Sequence, residues 1–302
     1  MKKPKILIAG TGALGGYFGG RLAQNNNYKV CFLSRGNTLK LLKKNGLAVK
    51  SIHGDFKLKI NVSDNPSSFK TKFDYVILCV KSNDTENLIP SLKKVVTKNT
   101  QFISVQNGIY NYNLLKKEFG KSRVLQTVSR IASDMKGNTV IHTALGIIVT
   151  GEMNGKNSGR IKTVSGLLNV PGVRCKISDN ILHEIWVKLA WNTIFNSLTA
   201  IAFARVEELF ADRKIVRLIN DLYNEISAVA ASLGIEFSKE DYKKIVTDTK
   251  TIGISKTSSY QDREKGRPVE VSYFTSEILK IAAKKKIETP HLQSVHFLVN
   301  LL

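Results

Sequence analysis

The stretch Lys5-Ile6-Leu7-Ile8-Ala9-Gly10-Thr11-Gly12-Ala13-Leu14-Gly15 decides the fold. Lys5 to Ala9 is a short, mostly apolar run, the pattern of a strand buried on both faces. The glycines at 10, 12 and 15 then open a helical stretch from about Leu14 to Asn25. G-x-G-x-x-G is a weak signal alone and a strong one between a strand and a helix. Gly10 permits the tight turn, Gly12 lets the backbone approach a pyrophosphate, and Gly15 allows close helix–strand packing. The free N–H groups and positive dipole end of the helix suit the phosphates. Residues Gly10, Thr11, Gly12, Ala13, Leu14 and Gly15 are therefore the expected dinucleotide cradle.

Outward from this unit, strands continue to alternate with helices. Strands are expected at Lys29–Leu33, Tyr75–Val80 and Gln101–Val105, with helices at 38–45 and 84–98. Leu47–Ile52 and Phe56–Val62 read as a polar-faced pair. Strands without intervening helices follow from Val124 to Thr150, then a helix near 157–168 and a strand near Val173–Ile177. Beyond Asp179 the pattern is helical at 180–198, 213–234, 239–250 and 268–286, with Asp212 and Ser238 as N-caps and Gly234 as a C-cap. The expected fold is α/β: an N-terminal Rossmann-type doubly wound parallel sheet, residues 1–178, followed by an all-helical C-terminal domain, residues 179–302.

Composition narrows the function classes. Forty-six Lys and Arg against 24 Asp and Glu leave a net charge of +22 over 302 residues, with ordinary globular hydrophobicity. Residues 1–178 hold 29 basic and 8 acidic side chains, a net of +21; the remainder holds 17 and 16, a net of +1. Anionic partners fit this balance, and so does a lysine-rich solvated surface. Three cysteines without paired spacing argue against a disulfide framework. No metal-ligand spacing is present. No apolar stretch approaches the roughly 20 residues of a membrane span. A cytoplasmic protein is expected, with no membrane partner. The basic pairs carry no nucleic-acid-binding motif, so no nucleic-acid partner is expected. The apolar helical half is compatible with a homodimer.

The end of the second strand bears on the cofactor. Sites for NAD place Asp or Glu there, whereas this chain has Ser34-Arg35-Gly36 and no carboxylate between Ala9 and Asp55. An arginine in that place can clamp a 2′-phosphate, so NADP(H) is favoured. Lys81 and Asn107 lie beyond the carboxyl ends of two further strands, where ligands of open α/β sheets bind; each also reads as an ordinary turn residue. In the helical half, Lys188, Asn192 and Asn196 are spaced i, i+4, i+8 and form one polar stripe among bulky apolar neighbours. A buried ammonium and buried amides require partners. A polar ligand in an interdomain cleft would supply them, and so would a structural network between helices.

Five ordered segments carry a family resemblance: GTGALGGYFGGRLA with SRG, VK at Val80-Lys81, QNG at Gln106, HEIWVKLAWNTIFN at His183 and SSYQDREKGRPVE ending at Glu270. Together they resemble ketopantoate reductase (2-dehydropantoate 2-reductase) over nearly the whole chain. The resemblance implies NADPH-dependent reduction of ketopantoate to pantoate, a step toward coenzyme A. It implies Lys188 as general acid, Glu270 as orienter of the substrate hydroxyl, and Asn192, Asn196 and Ser258 as substrate ligands. It places Asn107 between cofactor and substrate, and Lys81 and Arg35 along the NADPH. The chain departs from the family where Ser272 replaces an acid and Thr275-Ser276 replace Asn-Gly. Another 2-oxo acid, opine-type or branched, therefore remains open, and a non-catalytic NADP-sensing or nucleic-acid-binding protein is the distant alternative.

Overall fold

The computed structural model describes residues 3–250 and 256–302. The chain divides into two compact units, Met1–Asn107 with Asn111–Ile181, and Gly108–Tyr110 with Leu182–Leu302.

The first unit is built on strands β1 (Lys5–Ala9), β2 (Lys29–Leu33), β3 (Leu47–Ser51), β4 (Phe56–Leu58), β5 (Asn61–Ser63), β6 (Phe73–Leu78), β7 (Val96–Ser104), β8 (Val124–Lys136), β9 (Thr139–Thr150) and β10 (Arg174–Ile177). Helices α1 (Ala13–Ala23), α2 (Gly36–Asn45), α3 (Ser82–Lys93), α4 (Tyr110–Phe119) and α5 (Gly159–Leu168) accompany them. The sheet order is β4-β3-β9-β8-β7-β6-β1-β2-β5, with β10 beside β9. From β5 through β8 every neighbouring pair is parallel. The doubly wound parallel core is thus present, and it is extended by an antiparallel β8–β9 hairpin into a mixed sheet. Gly137, at φ +62°, turns that hairpin in two residues. Ile6, Ile8, Phe18, Phe32, Ile77 and Ile103 form the heart of the core.

Two local expectations differ from the structure. Phe56–Val62 is not one strand: Phe56–Leu58 pairs antiparallel with β3, while Asn61–Ser63 pairs parallel with β2. Phe56 packs over Gly20 on α1, and buried Val62 joins the core by way of β2, so the chain must break between them. Helix α4 has no counterpart in the sequence reading; its run of Tyr, Asn and Lys dilutes the apolar period that Tyr112, Leu115 and Phe119 provide when buried.

The second unit is helical: α6 (Ile181–Trp191), α7 (Ser197–Ala202), α8 (Val206–Leu209), α9 (Arg213–Ala231), α10 (Lys239–Tyr242), α11 (Ser258–Glu264), α12 (Val271–Lys285) and α13 (Pro290–Val299). Asp212 caps α9 by accepting from Lys214 N–H, and Ser238 and Asp241 form a capping box on α10. The C-cap of α9 is Ser232, with Gly234 two residues on at φ +76°. Trp186, Phe195, Ile219, Ile226, Phe274 and Ile278 are central to its core. Among the described residues, no helix is long and apolar enough to cross a membrane.

Candidate active site

The glycine-rich loop is held in shape by its neighbours. Gly10 adopts φ +107°, and a Cβ there would come within 2.6 Å of Val80 N. A Cβ on Gly15 would lie 1.9 Å from the carbonyl oxygen of Gly10. Only glycine fits either position. Gly12 differs: a Cβ there would meet nothing within 4 Å, so its surroundings are open. Thr11 fastens the loop to the end of β2, its N–H and hydroxyl both donating to Leu33 O at 2.9 and 2.8 Å. Gly12 is the N-cap of α1 and supplies no side-chain acceptor to the first turn. The turn beyond it, Ala13 and Leu14 leading into buried Gly15, is the electropositive helix end that an anion meets.

Around this loop stand the other expected cofactor residues. Arg35 precedes α2, is 73% exposed, and pairs with the Asp84 carboxylate in the first turn of α3. Lys81 precedes α3, and its carbonyl accepts from Asp84 N–H at 2.9 Å. Gln106 is buried and acts as a clamp: its side-chain amide donates to Val80 O and to Thr85 Oγ1, both at 2.8 Å, and its backbone carbonyl accepts from Gln126 Nε2 at 2.8 Å. It ties the ends of β6 and β7 together and leaves its half-buried neighbour Asn107 as the polar side chain of the loop. Neither the Asp84 pairing nor the Gln106 clamp was legible in the sequence, because each depends on a partner brought in by the parallel register.

In the second unit, α6 buries Ile185, Trp186, Leu189 and Ala190, while Lys188 is half-buried. The helix then widens into a π-helical turn over Asn192–Asn196. In a regular α-helix each i+4 step advances about 40° around the axis, so an i, i+4, i+8 stripe drifts. The i→i+5 turn advances less per residue and counters that drift. Asn196 Nδ2 donates to Asn192 Oδ1 at 3.3 Å. Both residues are almost fully buried, yet Asn192 Nδ2 and Asn196 Oδ1 have no hydrogen-bond partner among the described residues. Thr193 Oγ1 and Ser197 Oγ in the same turn are in the same condition. Exchanging the O and N of both amides reverses the internal bond and still leaves one donor and one acceptor spare.

The neighbouring motif residues divide between placement and function. His183, which opens the HEIWVK segment, bonds Asp241 at 3.0 Å and tethers α6 to the capping box of α10. Burial alone would raise the Asp241 carboxyl; hydrogen bonds from the Ser238 N–H and hydroxyl, and His183, hold it below the ordinary range instead. Trp191 Nε1 donates to Thr249 Oγ1 at 2.8 Å. Glu270 is half-buried at the start of α12. Ser258 is exposed at the first position of α11, whereas the adjacent Ser259 is buried. Thr257, the cap of that helix, bonds Thr199 Oγ1 at 2.7 Å. Thr275, one of the departures from the family pattern, is fully buried and bonds His296 Nδ1 at 2.7 Å, so it is a packing contact between α12 and α13.

Comparison with known proteins agrees with both halves of this description. Residues 6–155 match the family described as "Ketopantoate reductase PanE/ApbA", and residues 180–302 match "Ketopantoate reductase PanE/ApbA C terminal". The chain belongs to the ketopantoate reductase family. A 2-dehydropantoate 2-reductase of Archaeoglobus fulgidus is 30% identical over 282 residues, covering 93% of this chain and 91% of the relative. The crystal structure of 2-dehydropantoate 2-reductase from Geobacter metallireducens superposes with a TM-score of 0.92 at 28% identity, covering 98% of this chain and 99% of that one. D-mandelate dehydrogenase, solved with NADH and anilino(oxo)acetate, has the same fold at 23% identity, with a TM-score of 0.89 and coverage of 98% and 97%. The five ketopantoate reductase segments of the sequence fall on the glycine loop, the ends of β2, β6 and β7, the α6–π turn, and α11 up to the start of α12.

Proposed function

We propose that this protein is an NADPH-dependent 2-oxo acid reductase of the cytoplasm that converts ketopantoate to pantoate, a step toward coenzyme A. The observation that carries this reading is the Asn192–Asn196 pair. A buried amide pair left with one donor and one acceptor is costly, roughly 1–3 kcal/mol per unsatisfied group. A ligand that offers both an acceptor and a hydroxyl donor recovers that cost. A 2-oxo acid bearing a hydroxyl has both, and a simple keto acid lacks the donor. The identity of the relatives and the family models favour ketopantoate among such acids.

The residues of the first unit fit a dinucleotide. The open space at Gly12 admits a pyrophosphate to the backbone, and Thr11 to Gly15 offer the helix end. Arg35 would hold the 2′-phosphate in place of Asp84; an exposed ion pair is worth only about 0–1 kcal/mol and would yield to a bidentate phosphate contact. Lys81 and Asn107, beyond the ends of β6 and β7, would hold the cofactor further along that edge. When bound, NADPH supplies the hydride.

The residues of the second unit handle the acid. Asn192 and Asn196, with Ser258, bind its carboxylate and hydroxyl. Glu270 orients the hydroxyl. The Lys188 ammonium donates a proton to the alkoxide as negative charge builds on the former ketone oxygen, a contribution of about 10²–10⁴-fold. Steady-state oxidation of NADPH across a panel of 2-oxo acids tests the reading. Ketopantoate should give the highest kcat/KM, and an equal rate with acids lacking the hydroxyl would set the argument from the amide pair aside.

A further inference from the structure

The charge asymmetry of the chain is not spent at the cofactor loop. The carboxyl ends of the parallel strands carry Arg35 and Lys81, and beside them Asp64, Asp84 and Glu86. The opposite edge of the same sheet is strongly positive. Because β5, β2, β1, β6, β7 and β8 lie side by side and parallel, their starts form one row. Lys59 precedes β5, Lys29 opens β2 opposite Lys5 of β1, and Lys72 precedes β6. Lys98 lies in the irregular stretch of β7 between the pairings Phe73–Val96 and Tyr75–Gln101, and Lys121 opens the turn before β8. All but Lys5 are exposed. The last turns of α3 and α4 add further lysines. Three carboxylates face this row: Asp74 accepts Lys5 N–H at 2.8 Å, Glu118 pairs with Lys93 at 2.8 Å, and Glu152, paired with Arg160, lies beside Lys121.

Lysines at helix C-termini complement the helix dipole. Strand starts have no comparable dipole to offset; folding uses the ammonium groups of Lys5, on Thr71 Oγ1, and of Lys72, on Lys94 O at 2.7 Å, and does not call for the rest of the row. Six strands at about 4.8 Å spacing set it over about 24 Å. We propose that this edge is a docking surface for the phosphate backbone of a nucleic-acid duplex. Lysines act as point charges without bidentate base readout, so binding is independent of sequence and needs no recognition motif. A single strand would call for aromatic stacking platforms, and a membrane surface for an apolar wedge. Among the described residues, the exposed large apolar side chains of the first unit are Ile52, Leu145 and Ile177; of these Ile177 alone lies at this end of the sheet, at the tip of β10 two strands beyond β8, and one side chain makes no apolar wedge. The proposal is independent of the reductase reading, because the loop at the carboxyl ends takes no part in it.

Fluorescence anisotropy of a labelled 20-base-pair DNA duplex of mixed sequence tests it on the full chain. The protein should bind at 50 mM salt, with log K falling against log salt at a slope of about −5 for six phosphate contacts. The combined variant K29E/K72E/K98E/K121E should lose at least tenfold in affinity and show a shallower slope. The variant K284E/K285E/K286E, in the second unit, should keep both. If the fourfold reversal loses its circular-dichroism spectrum, the K29Q/K72Q/K98Q/K121Q variant replaces it, with at least a threefold loss expected. Absence of binding at 50 mM salt would overturn the proposal. So would equal binding by wild type and edge variant, tighter binding of a single strand of the same length, or capture by phosphatidylserine vesicles without duplex binding.

Discussion

The glycine loop of the first unit and the π-helical turn of the second are both polar, and they differ in how their polar groups are satisfied. In the loop, Thr11 spends its N–H and hydroxyl on Leu33 O, and beyond β7 Gln106 spends its side-chain amide on Val80 and Thr85. The shape is complete without a ligand. In the turn, Asn192, Thr193, Asn196 and Ser197 are buried with polar atoms to spare. One region is prepared by backbone geometry, the other by unspent hydrogen bonds. Substitution should therefore act on the two differently: in the loop, stability and binding rest on different glycines, whereas in the turn the same buried amides serve binding at a cost to stability.

The largest effect is expected at the ammonium above the turn. Lys188→Ala should lower kcat by about 10²–10⁴ with an unchanged thermal unfolding midpoint; undiminished turnover would remove the assigned acid. Asn196→Ala should raise KM for the acid by about tenfold to a hundredfold, and the double variant Asn192→Leu/Asn196→Leu, which removes both buried amides at similar volume, should do so while leaving the free protein as stable or up to about 1 kcal/mol more stable. Paired kinetics and urea denaturation read both quantities, and a loss of stability in the double variant would contradict the picture of unspent hydrogen bonds.

In the loop, Gly15→Ala should cost fold stability, because the new methyl meets the Gly10 carbonyl. Gly12→Ala should leave stability within about 0.5 kcal/mol and weaken NADPH binding about tenfold. If both variants behaved alike, the distinction between the two glycines would fail. Arg35→Ala should raise KM for NADPH about tenfold and barely alter NADH, whereas Asp84→Asn should improve NADPH binding a few-fold by freeing the guanidinium.

The smallest effect is on pH dependence. His142 is buried on the first unit, with Nδ1 2.8 Å from Ser51 Oγ and Nε2 3.0 Å from Ala144 O. Ser51 Oγ already accepts from Arg21 and the His53 N–H, so its hydroxyl proton goes to Nδ1 and the imidazole is neutral. Burial pushes its pKa below 6.5. The unfolded chain thus takes up a proton that the folded chain refuses, and stability falls as pH drops below about 6.5. Thermal unfolding between pH 7.5 and 5.5 should show this decline, and His142→Asn should flatten it.

Much of the fold was legible. The apolar runs at Lys5–Ala9, Lys29–Leu33 and Tyr75–Val80 stand within two residues of the strands that form, because strands buried on both faces leave an uninterrupted apolar signal. The caps Asp212 and Ser238 act where local chemistry placed them. What escaped depends on distance or on backbone irregularity. Residues 56–63 serve two separated strands, which no local pattern distinguishes from one. The π turn is an extra-residue insertion that spacing alone hides, since i, i+4, i+8 suits a straight helix equally well. Of the site, the residue types were readable and their partners were not. Arg35 stood out as a cation, while its counter-charge Asp84 lies 49 positions along the chain. The serine pair at 258–259 reads as two equal hydroxyls until the helix start buries the second.

The central claim is that the second unit presents an acid-binding amide pair and a proton donor to a reaction driven by NADPH. The most direct test is initial-rate NADPH oxidation with ketopantoate for wild type, Lys188→Ala and Asn196→Ala side by side. The account predicts turnover in wild type, loss of kcat in the lysine variant, and a raised KM with kcat largely retained in the asparagine variant. Absence of NADPH oxidation by the wild-type protein with ketopantoate, or lysine and asparagine variants indistinguishable from it, would contradict the account.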